Sequence, residues 1–196
     1  MIDTHIHIIP EVDDGASSLT EAVEMLEFAK SEGITEIVAT PHFKEGLSLN
    51  SDVLEQYEKI KFEADQMGIK LHLGNELYLC EEGVNALRDN HVYTMANTKY
   101  VLVELPFHHY YPYHEALIHQ IQLRGFKIIL AHIERYQIFR KKPSVLESLL
   151  KRGIYCQMNS RYVSERKTKK QALNWIEKGY VHIIASDGHN MDRRLP

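Results

Sequence analysis

Histidines and carboxylates recur in this sequence where short runs of apolar, β-branched residues end. Nine side chains share this placement, at the end of a run or in the loop that follows it: His5, His7, Asp14, His42, Glu76, Glu104, His132, Asp187 and His189. Imidazole and carboxylate groups are the ligands that zinc, manganese and iron use in proteins. His5 and His7 would point to one face of a strand, because strand side chains alternate with a period of two. Nine ligands are too many for one tetrahedral ion, so the pattern predicts a site for two or three divalent ions.

Taken singly, each of these residues has an ordinary explanation as a hydrogen-bonded group in a protein core. Taken together at one end of a core, nine such groups would be costly to bury without bound cations. The metal interpretation is therefore the better one for the set. Seven of the twelve histidines fall outside the pattern, and four of these fit an ordinary core or surface position and are assigned no role: His72, His91, His119 and His182.

The elements that must position these residues are typical of a parallel α/β fold. Strands are predicted at residues 2–7, 34–40, 70–77, 100–105, 127–131, 153–158 and 181–185. A capping box at Ser18 and Glu21 opens the first helix, and further helices are predicted near residues 53–67, 113–124, 144–152 and 164–178. Each helix is followed by a glycine and then by a strand, which is the alternation of α/β folds.

Seven strands, each followed by a helix or a helical loop, favour a closed barrel over an open sheet. In parallel barrels the catalytic groups lie at the carboxyl ends of the strands, where the nine residues fall. No glycine-rich phosphate loop follows any strand, so the nucleotide-binding folds lack their motif. We expect one domain over residues 1–196.

Composition narrows the class of protein further. The 196 residues are 44% hydrophobic and 26% charged, as in an ordinary globular protein, and the net charge of −4 argues against a nucleic-acid partner. No apolar run reaches the ~18–20 residues of a membrane span, and no signal sequence is predicted at the start. Cys80 and Cys156 form no CxxC pair, which favours a cytoplasmic location. Neither cysteine has an arginine six positions later, so cysteine-dependent phosphatase chemistry is not expected.

Several separated motifs resemble those of one known family. Residues 3–10 (DTHIHIIP) and 12–15 (VDDG) are similar to the first motif of the polymerase-and-histidinol-phosphatase (PHP) superfamily. They resemble more closely the bacterial manganese-dependent tyrosine phosphatases of capsule and exopolysaccharide operons, the CpsB/YwqE type. Residues 40–42 (TPH), 132–136 (HIERY) and 186–190 (SDGHN) resemble later motifs in the same order. The resemblance implies an α/β fold, a distorted seven-stranded (β/α)7 barrel with a trinuclear metal site.

Carried over position by position, the resemblance implies three metal positions. The first would use His5, His7, Glu76 and Asp187, the second Glu76, Glu104 and His132, and the third Asp14, His42 and His189. Manganese is the metal implied, with iron, zinc or magnesium as alternatives. Arg135 and Arg194 match the arginines that grip the substrate phosphate.

The resemblance further implies a metal-dependent protein-tyrosine phosphatase. Three divalent ions and four ligand carboxylates would leave a positive site that attracts a phosphate dianion. We expect in-line attack by a hydroxide that bridges the ions, without a phosphoenzyme. The partner implied is a phosphotyrosine-bearing bacterial tyrosine kinase of capsule or exopolysaccharide synthesis, with no membrane insertion. Relatives continue for several tens of residues beyond the position of Pro196, so we expect the chain to lack that segment.

Other functions stay open at this point. Within the superfamily, the chain could be a histidinol-phosphatase-like enzyme or a nuclease-like enzyme that cleaves phosphodiesters. An amidohydrolase also opens with His-x-His, but it normally has eight strands and a modified bridging lysine on strand four, where this chain has Glu104. A non-catalytic module whose ions only stabilise the fold is the last alternative. The aromatic residues 107–113 would either wall the pocket or form a surface loop.

Overall fold

The computed structural model describes residues 1–43, 51–107 and 110–196, in which nine strands alternate with eight α-helices and two 3₁₀-helices. The strands are β1 (Ile2–Ile6), β2 (Glu36–Ala39), β3 (His42–Phe43), β4 (Lys70–Leu73), β5 (Glu76–Tyr78), β6 (Tyr100–Glu104), β7 (Lys127–Leu130), β8 (Tyr155–Asn159) and β9 (Ile183–Ala185). The α-helices are α1 (Leu19–Ser31), α2 (Ser51–Met67), α3 (Glu81–Arg88), α4 (Pro112–Leu123), α5 (Gln137–Lys141), α6 (Pro143–Lys151), α7 (Ser160–Ser164) and α8 (Lys169–Glu177). The 3₁₀-helices are Met95–Asn97 and Ile133–Arg135.

The described strands pair in parallel throughout. One sheet has three strands in the order β1-β2-β4, and the other has six in the order β3-β5-β6-β7-β8-β9. The predicted α/β class with parallel strands is thereby confirmed. The predicted closed barrel of seven strands is not confirmed, because the strands form two separate sheets.

Two segments each hold two strands, which gives nine strands where seven were expected: the strand predicted at 70–77 is interrupted, and the one predicted at 34–40 is followed by the additional strand β3. Thr40 and Pro41 separate β2 from β3, and Gly74 and Asn75 separate β4 from β5. Proline has no N–H to donate to a neighbouring strand, so the ladder ends at Pro41. Each of the two segments gives its first part to the three-stranded sheet and its second part to the six-stranded sheet.

The end of β1 lies beside the segment that follows β9. The backbone N–H of His7 donates to the carbonyl of Gly188 at 2.8 Å, and the N–H of Asp187 donates to the carbonyl of His5 at 2.8 Å. The first and last metal-binding motifs predicted from the sequence are therefore adjacent in the fold.

Helix α1 begins at the predicted capping residue. The Ser18 hydroxyl accepts the N–H of Glu21 at 3.2 Å, whereas the Glu21 carboxylate accepts the N–H of Ser17 rather than that of Ser18. The helices predicted near residues 113–124 and 144–152 are α4 and α6. The helix predicted at 164–178 is α8, but it begins only at Lys169, because extended backbone at Glu165 (φ −69°, ψ 130°) ends the short helix α7 before it. Helices α3 and α5 are too short for the sequence pattern to indicate them.

Helices cover the outer faces of the sheets and bury the apolar core. Met25 and Leu26 of α1 pack with Ile37 of β2 in one cluster, and Leu117 of α4 packs with Val101 of β6 in another. This packing holds the strands so that their carboxyl ends are fixed relative to one another. In the described part of the chain, no helix has both the length and the apolar character needed to cross a membrane.

Candidate metal centre

All nine predicted ligands lie close together: seven are at or beyond the carboxyl end of a strand, whereas His42 and Glu76 are the first residues of β3 and β5. Seven of them are buried, His42 is half-buried and Asp14 is exposed. Their donor atoms form overlapping groups within 4.8 Å: His7, Asp14, His42 and His189; His5, His7 and Asp187; and His42, Glu76 and Glu104. The structure thus brings the whole predicted set together.

Four donor atoms of the first predicted set lie close together, with the two imidazole nitrogens between two carboxylates. The Nε2 atoms of His5 and His7 are 3.2 Å apart. Both atoms lie 3.3–3.4 Å from Oε2 of Glu76 and 3.4–3.6 Å from Oδ1 of Asp187. Two atoms that ligate one ion at about 2.1 Å and a tetrahedral angle are about 3.4 Å apart, so these spacings suit atoms that share an ion. These four residues therefore fit one divalent ion.

The third predicted set lies next to the first. Oδ1 of Asp14 lies 3.3 Å from Nε2 of His42 and 3.5 Å from Nε2 of His189. The imidazole of His189 stacks on that of His7, with ring centroids 3.9 Å apart. The spacing of the three donor atoms resembles that of the first set.

The two carboxylate oxygens of Glu76 face different sets. Oε1 lies 2.8 Å from Nε2 of His132, which is also 3.5 Å from Oε1 of Glu104. Oε2 faces His5 and His7 and lies 3.0 Å from Nδ1 of His42. The sharing of Glu76 agrees with the expected arrangement. The position of His42 between two sets was not anticipated from the sequence.

Two of the nine residues adopt a left-handed backbone conformation. His132 lies two residues after the end of β7 and has a φ of 31°. Asp187 lies two residues after the end of β9 and has a φ of 53°. For a residue other than glycine this conformation costs about 1–3 kcal/mol and is found where the surrounding structure enforces it, often at functional sites. Here the strained residues carry side chains of the central cluster.

The residues present fit a group of divalent ions. Five buried polar atoms in the cluster have no hydrogen-bond partner: His42 Nδ1, Glu76 Oε2, His132 Nδ1, Asp187 Oδ1 and His189 Nε2. Leaving a buried polar group unsatisfied costs about 1–3 kcal/mol. Imidazole nitrogens and carboxylate oxygens are the atoms that a divalent cation would satisfy.

The pKa values reflect the crowding of charge in the cluster. Burial alone would lower the pKa of His5, but the carboxylates of Glu76 and Asp187 raise it to about 9. Burial also opposes the rise at His42, where neighbouring carboxylates bring the pKa to about 10. Burial and the negative charge of Glu76 raise the pKa of Glu104 to about 7. The cluster therefore holds protons that a bound cation would displace.

A cleft of about 870 Å³ opens over the cluster, and both predicted arginines line it. Nη1 of Arg135 donates to Oδ2 of Asp187 at 3.4 Å, and Nη2 of Arg194 donates to Oδ2 of Asp14 at 3.0 Å. The guanidinium of Arg135 also lies over the ring of Phe107, 4.4 Å from its centroid. Each arginine is thus beside a different predicted ligand.

The aromatic segment 107–113 has only its first residue among those that line this cleft in the described structure. Phe107 lines the cleft, and its ring centroid lies 5.6 Å from that of His132. Residues 108 and 109 lie outside the described residues. Tyr111 and Tyr113 are exposed at the start of α4. The segment is therefore partly a pocket wall and partly surface.

The sequence profile of one family, described as CpsB/CapC, capsular polysaccharide synthesis, matches residues 1–196. The chain belongs to the CpsB/CapC family. It is 34% identical to the tyrosine-protein phosphatase YwqE of Bacillus subtilis, over 99% of this chain and 79% of that protein. It is 31% identical to the tyrosine-protein phosphatase CpsB of Streptococcus pneumoniae, over 100% of this chain and 86% of that protein.

Solved structures agree with membership of the CpsB/CapC family. This chain is similar to a structure described among "YwqE from Bacillus subtilis and CpsB from Streptococcus pneumoniae, unique metal-dependent tyrosine phosphatases". The TM-score is 0.92 at 32% identity, and the match covers 100% of this chain and 82% of that chain. A D-hydantoinase matches with a TM-score of 0.61 at 12% identity, over 97% of this chain and 58% of that chain. That second likeness shows a shared fold alone.

Three side chains of this CpsB/CapC chain contact proposed metal ligands but were not predicted from the sequence as site residues. Oδ2 of Asp13 lies 2.7 Å from Nδ1 of His7. Gln157 contacts His5, and Asn159 donates to a carboxylate oxygen of the cluster. In the sequence, Gln157 and Asn159 stand out only as two amides in β8, whose other residues are apolar or aromatic. The pattern of ligands at strand ends does not extend to them.

Proposed function

We propose that this chain is a metal-dependent phosphomonoester hydrolase that acts on phosphotyrosine in proteins. The observation that carries the proposal is the close spacing of the donor atoms of His5, His7, Glu76 and Asp187, with two arginines in the cleft above. Relatives named tyrosine-protein phosphatases support the substrate class. The description of the matched structure supports the dependence on metal.

The nine residues would hold two or three ions. We assign His5, His7, Glu76 and Asp187 to one position, Glu76, Glu104 and His132 to a second, and Asp14, His42 and His189 to a third. Bound divalent ions would lower the pKa of water toward neutrality, which provides a nucleophile, and would withdraw charge from the phosphate. Manganese is the proposed metal, and the mixture of imidazole and carboxylate ligands also suits iron, zinc or magnesium.

Arg135 and Arg194 would bind the phosphate. Each guanidinium presents N–H donors in a planar fork that matches two phosphate oxygens. They donate hydrogen bonds to the carboxylates of Asp187 and Asp14. A phosphate bound at the proposed metal centre would lie near both guanidiniums, because both line the same cleft. There they would stabilise the charge that develops on the phosphate oxygens.

Phe107 would contact the phenyl ring of phosphotyrosine. It lines the cleft beside Arg135, so an aromatic substrate whose phosphate meets the arginine can pack on the Phe107 ring. A phenol leaving group has a pKa near ~10, so it needs less help from an acid than an aliphatic alcohol does. The chemistry therefore suits phosphotyrosine better than phosphoserine.

We further propose a single domain in which seven β segments form a distorted barrel. The hydrogen bonds between β1 and the segment after β9 support this closure. The proposed partner is a tyrosine-phosphorylated kinase of polysaccharide synthesis, in keeping with the family description. A cytoplasmic location is proposed because Cys80 and Cys156 are free thiols, as in a reducing compartment.

Phosphate release from a phosphotyrosine peptide tests the proposal. The protein is freed of metal by chelation, reloaded with Mn²⁺ and assayed in both states, with a phosphoserine peptide as the comparison. We expect release only after reloading and mainly from the phosphotyrosine peptide. A fully loaded protein that hydrolyses neither peptide would contradict the proposal. Faster hydrolysis of histidinol phosphate, or of a bis-aryl phosphodiester, would favour the other enzymes of the superfamily.

A further inference from the structure

We propose that Gln157 and Asn159 form an amide relay that fixes which atoms of His5 and Asp187 face the metal centre. Both amides belong to β8, which carries none of the predicted ligands, and Gln157 is fully buried. The inference rests on the ligand roles given to His5 and Asp187 in the proposed function. It assigns β8 a role that strand-end motifs do not indicate.

The orientation of the Gln157 amide follows from its contact with the backbone. The N–H of His132 donates to Oε1 of Gln157 at 2.7 Å, so this atom must be the oxygen and can only accept hydrogen bonds. The same oxygen lies 3.1 Å from Nδ1 of His5. Nδ1 must therefore carry the proton, and in neutral His5 the lone pair is left on Nε2. That nitrogen is the atom of His5 that lies beside the carboxylates of Glu76 and Asp187.

The second half of the relay acts on Asp187. Nε2 of Gln157 donates to Oδ1 of Asn159 at 2.9 Å, which leaves the Asn159 NH₂ free to donate. It donates to Oδ2 of Asp187 at 2.8 Å. The other oxygen, Oδ1, has no hydrogen-bond partner and lies 3.4 Å from Nε2 of His5. The relay thus leaves an unshared electron pair on Nε2 of His5 and on Oδ1 of Asp187, two atoms that lie 3.4 Å apart.

The relay also joins two of the proposed metal positions. A single oxygen of Gln157 holds the His5 ring, which belongs to one position, and the backbone of His132, which belongs to another. Neither amide has a hydrogen bond to Asp14, His42 or His189 among the contacts of the described residues. Loss of Gln157 should therefore weaken two metal positions and leave the third nearly unchanged.

Three variants test the relay against a matched control. Gln157→Leu removes the amide at similar volume, Gln157→Glu keeps the accepting oxygen but removes the donor, and Asn159→Ala removes only the second half. The control is Gln171→Leu in α8, because that amide accepts the Tyr162 hydroxyl at 2.8 Å and belongs to none of the site contacts described above. The measurements are Mn²⁺ titration of each folded variant and ¹⁵N shifts of the His5 ring in the Zn²⁺-loaded protein.

We expect Gln157→Leu to weaken two Mn²⁺ positions by about 10–100-fold, the usual effect of removing a group that orients a ligand. It should also lose the protected proton on Nδ1 of His5. Gln157→Glu should keep that proton and bind Mn²⁺ more tightly than Gln157→Leu. Asn159→Ala should keep the proton and weaken mainly the position that contains Asp187. Gln171→Leu should match the wild type in both measurements.

Wild-type Mn²⁺ affinity in folded Gln157→Leu, or an unchanged His5 proton signal, would overturn the relay. If Gln157→Leu does not fold, the other two site variants decide, and wild-type affinity in both would overturn it. Because these measurements do not need turnover, they separate the two proposals. A wild-type protein that binds Mn²⁺ as expected but hydrolyses no phosphotyrosine would refute the proposed function and leave the relay intact.

Discussion

Oδ2 of Asp13 lies 2.7 Å from Nδ1 of His7 and also accepts the backbone N–H of His42 at 2.9 Å. The other oxygen of Asp13 accepts the N–H of Gly15 at 2.9 Å. One carboxylate therefore orients the ring of one proposed ligand and the backbone of another. Because Nδ1 of His7 is bound to Asp13, Nε2 is the nitrogen that faces His5 and Glu76.

Asp13→Asn should weaken Mn²⁺ binding by about 10–100-fold, because an amide has one accepting oxygen where the carboxylate uses two. The measurement is titration of the metal-free protein with Mn²⁺. Asp89→Asn is the control, since Asp89 is exposed and pairs only with Arg88 among the ion pairs of the described residues. Equal Mn²⁺ affinity in the two variants would refute the role of Asp13.

Arg135→Ala should lower kcat/KM for a phosphotyrosine peptide by about 10²–10³-fold, the usual cost of removing one donor to a developing anionic oxygen. Metal content should stay at the wild-type level, because Arg135 supplies no ligand atom. Steady-state kinetics and elemental analysis of the same preparation check both statements. Arg88→Ala, at an exposed ion pair on α3, is the control. Loss of activity in proportion to loss of metal would assign Arg135 a structural role instead.

The placement of the ligands was predictable because parallel strands end at one edge. His5 and His7 needed only the period of two along a strand, and Glu76 and Glu104 needed only that neighbouring strands run in the same direction. These rules act locally along the chain, so one sequence suffices to apply them. They placed all nine residues in one cluster.

The supporting residues were less predictable because their roles depend on three-dimensional neighbours. Gln157 lies next to His5 in space but 152 positions away in sequence. Its only sequence signal is an amide in a buried strand, and such an amide has many possible partners. The end of a strand before Pro41 was predicted from the sequence, but not the short strand β3 that follows it or its place in the other sheet.

Gly15→Ala should weaken the metal site by steric conflict. A Cβ at this position would lie 2.1 Å from the carbonyl oxygen of His7 and 2.5 Å from the His7 Cβ. The loop that carries Asp13 and Asp14 would have to move, at a cost of about 1–3 kcal/mol in the free energy of unfolding. Urea unfolding of the metal-free variant measures this cost, and Mn²⁺ titration should show weaker binding.

Gly68→Ala provides the contrast for Gly15→Ala. Gly68 has a φ of 73° but no atom within 4 Å of an added Cβ. Backbone strain should destabilise that variant by about 1 kcal/mol without changing Mn²⁺ affinity. A similar loss of Mn²⁺ affinity in both glycine variants would show that global destabilisation, rather than the loop beside His7, controls binding.

The two cysteines should be dispensable for catalysis. Burial raises the pKa of Cys156 to about 12, and burial also raises the pKa of Cys80. Few thiolates therefore exist at neutral pH to act as nucleophiles. The double variant with Cys80→Ser and Cys156→Ala should keep the wild-type kcat/KM for a phosphotyrosine peptide. Iodoacetamide treatment of the native protein should likewise leave activity unchanged, and its loss in either experiment would contradict the metal-dependent mechanism.

The metal-free protein should lose stability as the pH rises from about 7 to about 10. Folding raises the pKa of His5 to about 9 and that of His42 to about 10, from 6.5. A group with a raised pKa stabilises the fold fully below its unfolded pKa and loses that contribution as the pH passes through the folded value. Ions bind the deprotonated imidazoles, so Mn²⁺ affinity should instead rise over the same pH range, up to about pH 10. Thermal unfolding in EDTA and Mn²⁺ titration across this range measure the two trends. Because both arise from the same protons, His42→Gln should flatten both, and a metal-free midpoint that rises with pH would contradict the assignment.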